Sequence, residues 1–217
     1  VTGILGTNPT LNALSSYENF TWNCPGQTAT ITLASNLRDV NGILNIEDTN
    51  NQQLRFGTAT AYTLNIDGDF NVTGNSRIAF GTTAAGVIIN LLGSFDFSST
   101  AAAASLLKSS GSYSFNVTGN VSVSSGLLTM STGNNAGTVN VGGDFTQLPS
   151  TITETAGGSG AFTFNGSALQ NISSTGTISN TIDFTVNNAA GVVLNSPFSF
   201  PGALTQTLGD IDLNNQI

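Results

Sequence analysis

The sequence predicts an all-β protein, a right-handed parallel β-helix (β-solenoid) of about 7–8 coils of roughly 21–26 residues each. Three observations predict it: a composition without helix formers, short alternating apolar segments cut by Gly and Asn, and one motif recurring at a nearly constant spacing.

Hydrophobic residues make up 39% of the 217 residues and charged residues only 7%, against a usual charged share near ~25%. Such a chain is apolar enough to bury a core and too weakly charged to be disordered. Four basic residues (Arg38, Arg55, Arg77, Lys108) against twelve acidic ones leave a net charge of −8, which repels a polyanion and excludes nucleic-acid binding. No basic residue follows Lys108, so Asp144, Glu154, Asp183, Asp210 and Asp212 are expected in water or on a metal. Histidine is absent, and with it go the commonest general base and metal ligand and every Ser-His-Asp or Cys-His arrangement. The single cysteine, Cys24, has no partner for an internal disulfide and reads as a small buried hydrophobe beside Trp22. No window approaches the ~20 apolar residues of a membrane span. The start at Val1, without an initiator Met or a basic signal-peptide region, reads as a processed or excised segment.

Gly, Asn, Ser and Thr abound, Val, Ile and Phe are spread evenly, and the residues that populate helix surfaces are scarce. Residues 100–108, with Ala101, Ala102, Ala103 and Ala104 leading into Leu106 and Leu107, are the one stretch expected to form a surface turn or short helix. Elsewhere the alternation at residues 62–66, 113–117 and 161–164 marks strands.

The motif is Φ-x-Φ-x-G-[DNS]-Φ-x-Φ, with Φ apolar. Around Gly68 it holds Leu64, Ile66, Asp69, Phe70 and Val72. It recurs around Gly93, Gly119, Gly143 and Gly166, at spacings of 25, 26, 24 and 23 residues. Gln147 and Gln170 depart at the last slot around Gly143 and Gly166, where Ala168 is expected in the slot before it. Weaker copies are expected around Asn188, with Phe184, Val186 and Ala190, and around Gly209, with Ile211 and Leu213. A first copy with Ile31, Leu33 and Leu37 around Ser35 would lie 33 residues before Gly68 and carry an insertion. Units this short cannot bury themselves and must stack. The Leu-x-x-Leu-x-Leu-x-x-Asn consensus of leucine-rich repeats is absent, which leaves the solenoid. In it, Phe70, Phe95, Val121 and Phe145 form one interior stack, and Ile66, Leu91, Val117, Val141 and Phe164 another, with coils ~4.8 Å apart. The glycines are expected to turn the corner, often at φ > 0.

Alternation puts Asn65, Asn90, Asn116, Asn140 and Thr163 outward, in a polar column that either hydrogen-bonds to itself or meets a sugar or another protein. Asp69, Ser94, Asn120, Asp144 and Ser167, just after each Gly, suit turn backbone groups. Residues 1–28 lack the repeat and are expected as an N-terminal cap or lead-in; residues 29–217 form the solenoid, which continues past the C-terminus or stacks on another copy.

Catalysis has thin support. Asp67 with Asp69, and Asp210 with Asp212, are the carboxylate pairs available to a polysaccharide-degrading β-helix enzyme, and the same pairs are the only weak sign of Ca²⁺. The calcium β-roll nonapeptide and regular Thr-x-Thr ladders are missing, and N-x-[ST] sequons at Asn19, Asn71, Asn116, Asn120, Asn165 and Asn171 match what chance gives in so Asn-rich a chain. No catalytic residue, cofactor or metal ligand is therefore assigned.

The segments Tyr17-Glu18-Asn19-Phe20-Thr21-Trp22-Asn23, Phe162-Thr163-Phe164-Asn165-Gly166-Ser167 and Phe184-Thr185-Val186-Asn187-Asn188 resemble repeats of large secreted, adhesin-like surface proteins of Bacteroidota. The resemblance implies an extracellular module of a larger exoprotein exported by the type IX route, and it brings no catalytic residues. The expected function is a non-catalytic structural or adhesive rod at the cell surface. Its partners are other copies, end to end or laterally, or glycans, with a carbohydrate-binding module or β-helix enzyme as the alternative.

Overall fold

The computed structural model describes residues 1–12, 16–58, 60–83, 85–133, 135–155 and 157–216, and no helix occurs among them. The chain winds as a parallel β-solenoid of about eight turns through three sheets. One coil runs from Tyr62–Ile66 in the first sheet to Phe70–Val72 in the second and Arg77–Gly81 in the third, before Val87–Leu91 returns to the first. Among the described residues the first two sheets have nine strands each and the third has seven, joined one coil to the next in parallel.

Period-two patterning explains each strand: Tyr62, Leu64 and Ile66 are buried, while Thr63 and Asn65 face outward. Both interior stacks form as the motif requires. Phe70 lies in register with Phe95, Phe95 with Val121, and Val121 with Phe145. Ile66, Leu91, Val117, Val141 and Phe164 make the second column. The rings of Phe70 and Phe95 sit 5.3 Å apart, and Phe115 meets Phe95 at 5.0 Å and Phe80 at 5.1 Å, both edge-on. Each such side chain contributes about 1.5–3 kcal/mol by burial.

The corner glycines are needed for a reason other than the one expected. None of Gly68, Gly93, Gly119, Gly143 and Gly166 has positive φ. Instead a Cβ on Gly93 would lie 2.4 Å from the carbonyl oxygen of Gly68, and one on Gly119 2.6 Å from that of Gly93. Backbone stacks directly on backbone along this edge, and no side chain fits between.

Several other expectations are corrected. Within residues 100–108 the segment Ser105–Lys108 is a strand, paired on both sides with Arg77–Gly81 and Leu127–Ser131. Two neighbouring ladders supply hydrogen bonds that a nine-residue helix, too short to be stable alone, cannot match. The copy before Gly68 is centred on Gly42, not Ser35. Val40 pairs with Ile66 and Leu44 with Phe70, whereas Ile31 belongs to the third sheet, so the spacing is regular and no insertion exists. Leu37 goes inside where the motif would want residue 38, which is Arg, and this hid the copy. Ala168 and Ala190 are exposed; longer turns hand their inward slots to Ile172, stacked on Phe145, and Leu194, stacked on Ile172. Glu154 does not stand in water. It is buried, accepting hydrogen bonds from the Gly160 amide at 2.7 Å and the Thr181 hydroxyl at 2.9 Å. Lys108 is buried as well, donating to the carbonyls of Thr83 and Ala85 at 3.0 and 2.6 Å, and desolvation lowers its pKa.

Within residues 1–28, Phe20–Asn23 pairs in parallel with Leu44–Asp48, so the first coil of the solenoid lies in this segment. Residues 1–8 run along that coil's edge: the Asn23 amide donates to the Val1 carbonyl at 2.9 Å and the Thr28 amide to Leu5 at 2.6 Å. Trp22 and Cys24 are fully buried there. Toward the other end the third sheet stops at Thr177–Ile178. Residues 195–203, holding Pro197 and Pro201, leave the ladder, and Phe198 packs 5.3 Å from Phe184. The last strand of the first sheet, Leu204–Leu208, is exposed along its length. Ile217, with which the expected solenoid domain ends, lies outside the described residues.

Candidate binding face

The predicted outward column forms on the first sheet, and its amides are joined. Asn140 Nδ2 donates to Asn116 Oδ1 at 2.7 Å, Asn116 to Asn90 at 2.8 Å, Asn90 to Asn65 at 2.9 Å, and Asn65 to the Asp39 carboxylate at 2.9 Å. All four bonds point the same way. A carboxylate only accepts, so Asp39 obliges Asn65 to donate, which leaves the Asn65 oxygen for Asn90, and the polarity passes up the column. Thr163 takes the next rung in register with Asn140 and has no amide to extend the series.

An Asn side chain has two N–H donors and two acceptor sites on oxygen. The ladder takes one of each at Asn65, Asn90 and Asn116, so every rung keeps bonding capacity toward solvent. Ser114 uses part of it, donating to Asn116 Oδ1 at 2.9 Å.

Two shallow hollows lie on the same face, on opposite sides of the column. One, of about 400 Å³, is lined by Asn116, Thr118, Asn140, Gly142, Asn165 and Ser167. Its origin is a missing side chain: Asp67, Leu92, Thr118, Gly142 and Asn165 occupy equivalent sites before the corner, and Gly142 leaves a gap between Thr118 and Asn165. Glycine is obligatory there, since a Cβ would stand 2.5 Å from the Thr118 carbonyl oxygen. The other hollow, of about 490 Å³, is lined by Arg38, Tyr62, Thr63, Ile88 and Ser114 among others. The Arg38 guanidinium sits 5.7 Å from the Tyr62 ring centroid. Tyr62 itself is buried, its hydroxyl donates to the Leu37 carbonyl, and desolvation raises its pKa.

One carboxylate of each pair is engaged by a backbone amide. Asp69 accepts the Ser94 amide at 2.8 Å, and Asp212 accepts that of Asn214 at 2.8 Å. Ser94 and Asn120 continue the corner series, accepting the amides of Asn120 and Asp144 in the following coils. Among the described residues no group of three or more His, Cys, Asp or Glu is placed to hold a metal ion, and no helix is long and apolar enough to cross a membrane.

Sequence reasoning missed a shorter ladder on the second sheet, where Asn71 donates to Asn45 at 2.9 Å. Asp96 stands next in register above Asn71, at the end where a donor is required. Its Oδ1 is buried with no hydrogen-bond partner among the described residues, and burial pushes its pKa up. The Gly142 hollow was missed too, because Gly142 acts through what it lacks.

No protein-family model, curated protein or solved structure matches this chain.

Proposed function

We propose that the chain is a non-catalytic structural and adhesive module of a larger extracellular protein, a rigid rod segment that makes contact through the polar face of its first sheet. The observation that carries this reading is the unbroken column from Asp39 to Asn140, a flat polar surface of linked amides anchored on one carboxylate and laid over a dry core. Between the end coils each strand is hydrogen-bonded to the coil before it and the coil after it, which resists local opening and hence proteolysis. Nine strands at ~4.8 Å per step make the described rod ~38 Å long, so a reach of stalk length takes further units in series. Stacking of other copies belongs to the same reading, at the end where Leu204, Leu208 and Leu213 are exposed. So does the resemblance to secreted Bacteroidota surface proteins.

Beads coated with the purified protein, applied to surfaces carrying cell-envelope extract or host-type matrix, test the adhesive role. Attachment that survives prolonged trypsin and proteinase K treatment, and falls when Asn90 and Asn116 are both changed to Ala, is the expected result. Failure to attach, or release of reducing sugar from the coated surface, overturns it.

A further inference from the structure

The two hollows and the amide column form one track. The Arg38 hollow begins near the N-terminal coils, shares Ser114 with the column through the Ser114–Asn116 hydrogen bond, and leads across to the Gly142 notch. Resting on the adhesive reading of this face, we propose that the track binds a linear neutral polysaccharide, one sugar unit per coil.

Spacing is the first argument. Outward groups recur along the axis every ~4.8 Å, whereas an extended peptide advances ~3.3–3.4 Å per residue and slips out of phase within two coils. The pyranose units of an extended chain advance by close to the coil step, so each meets an equivalent amide. Chemistry is the second. A sugar presents hydroxyls at its rim and C–H groups on its faces. The track offers spare amide donors at Asn90 and Asn116, spare acceptor sites at Asn90 and Asn140, and exposed apolar side chains at Ile88 and Leu92, 44% and 60% accessible. Charge is the third. The notch is lined by no ionisable side chain, Arg38 is the one charged residue lining the other hollow, and the net charge of −8 repels acidic polymers. At about 400 and 490 Å³ the hollows fall within the size range of small-molecule sites.

Titration calorimetry of the 217-residue chain with cellohexaose, laminarihexaose, mannohexaose and hexagalacturonate tests the proposal. At least one neutral hexasaccharide is expected to bind at sub-millimolar Kd, ten-fold or more tighter than its disaccharide, because several coils engage at once. Thr118→Tyr and Asn165→Tyr, at exposed sites on either side of Gly142, should weaken it at least ten-fold. Thr146→Tyr on the second sheet should leave it unchanged, with circular dichroism showing all three variants folded. No binding of any neutral hexasaccharide at millimolar concentration overturns the proposal, as does tighter binding of hexagalacturonate or equal loss in Thr146→Tyr. If the beads described above still attach while these sugars fail, the adhesive reading stands and only the ligand class is wrong.

Discussion

Asp96 is a carboxylate where the second-sheet ladder calls for an amide, and replacing it should make the protein more stable. Asn71 already donates to Asn45 at 2.9 Å, leaving its own oxygen turned toward the next coil, where ionised Asp96 has no proton to give. Asp96→Asn keeps the shape and supplies the donor. An orphaned buried acceptor costs about 1–3 kcal/mol and a new hydrogen bond contributes about 0.5–1.5 kcal/mol. Asp96 is only half-buried, so the lower part of that range applies and a gain of about 1 kcal/mol is expected. For a chain of this size that is a rise of ~2–4 °C in Tm. The pH dependence separates this account from a general surface effect. Burial raises the Asp96 pKa above its ordinary 3.8, so the folded protein holds this proton more tightly than the unfolded chain. The wild-type contribution is therefore intact below pH 3.8 and is lost as pH rises through the raised folded value. The advantage of Asp96→Asn should be near zero at low pH, grow across that window, and level off above it. Urea denaturation of both proteins from pH 3 to 8 measures the difference. A variant less stable than wild type at pH 7, or a difference that ignores pH, refutes the ladder-polarity argument.

Gly119→Ala should cost about 3 kcal/mol or more, because its Cβ would press on the Gly93 carbonyl. Gly133→Ala, with φ +75° and only an ordinary 3.7 Å contact to Asn135 Nδ2, should cost only about 1–2 kcal/mol; differential scanning calorimetry ranks the two. Phe115→Ala, which empties the contacts to Phe70, Phe80 and Phe95, should lose about 3–5 kcal/mol in chemical denaturation. Asn140→Asp removes one rung at about 1 kcal/mol. Asn65→Asp also sets a second carboxylate against Asp39, adding about 1 kcal/mol of repulsion. Only that second part should fade in 1 M NaCl, as denaturation midpoints at two salt concentrations will show.

The parts of this fold that were legible in the sequence are those written in apolar residues at fixed offsets. Phe70, Phe95, Val121 and Phe145 announce their stack because a one-residue slip would turn each of them to solvent. The outward asparagines followed from the same alternation. What stayed hidden depends on partners a coil or more away. Nothing near Glu154 in the chain shows that Thr181 will bond to it, and nothing near Lys108 singles out the carbonyls of Thr83 and Ala85. Residues 100–108 looked helical because alanine is a strong local helix former, and the third sheet overrides local preference with pairing on two sides. The Gly42 copy was hidden by a single slot, where Leu37 rather than Arg38 turns inward.

The three edges of the prism do not share the freedom to vary. Along the Gly68, Gly93, Gly119 and Gly143 edge the turn keeps one length over four successive coils, since backbone fills the space a longer or bulkier segment would need. Between the second and third sheets the linkers run over residues 73–76, 99–104, 126 alone and 148–150. New loops, tags or grafted epitopes thus have a natural entry at that second edge, while the glycine edge works as the spine to which every coil is fastened.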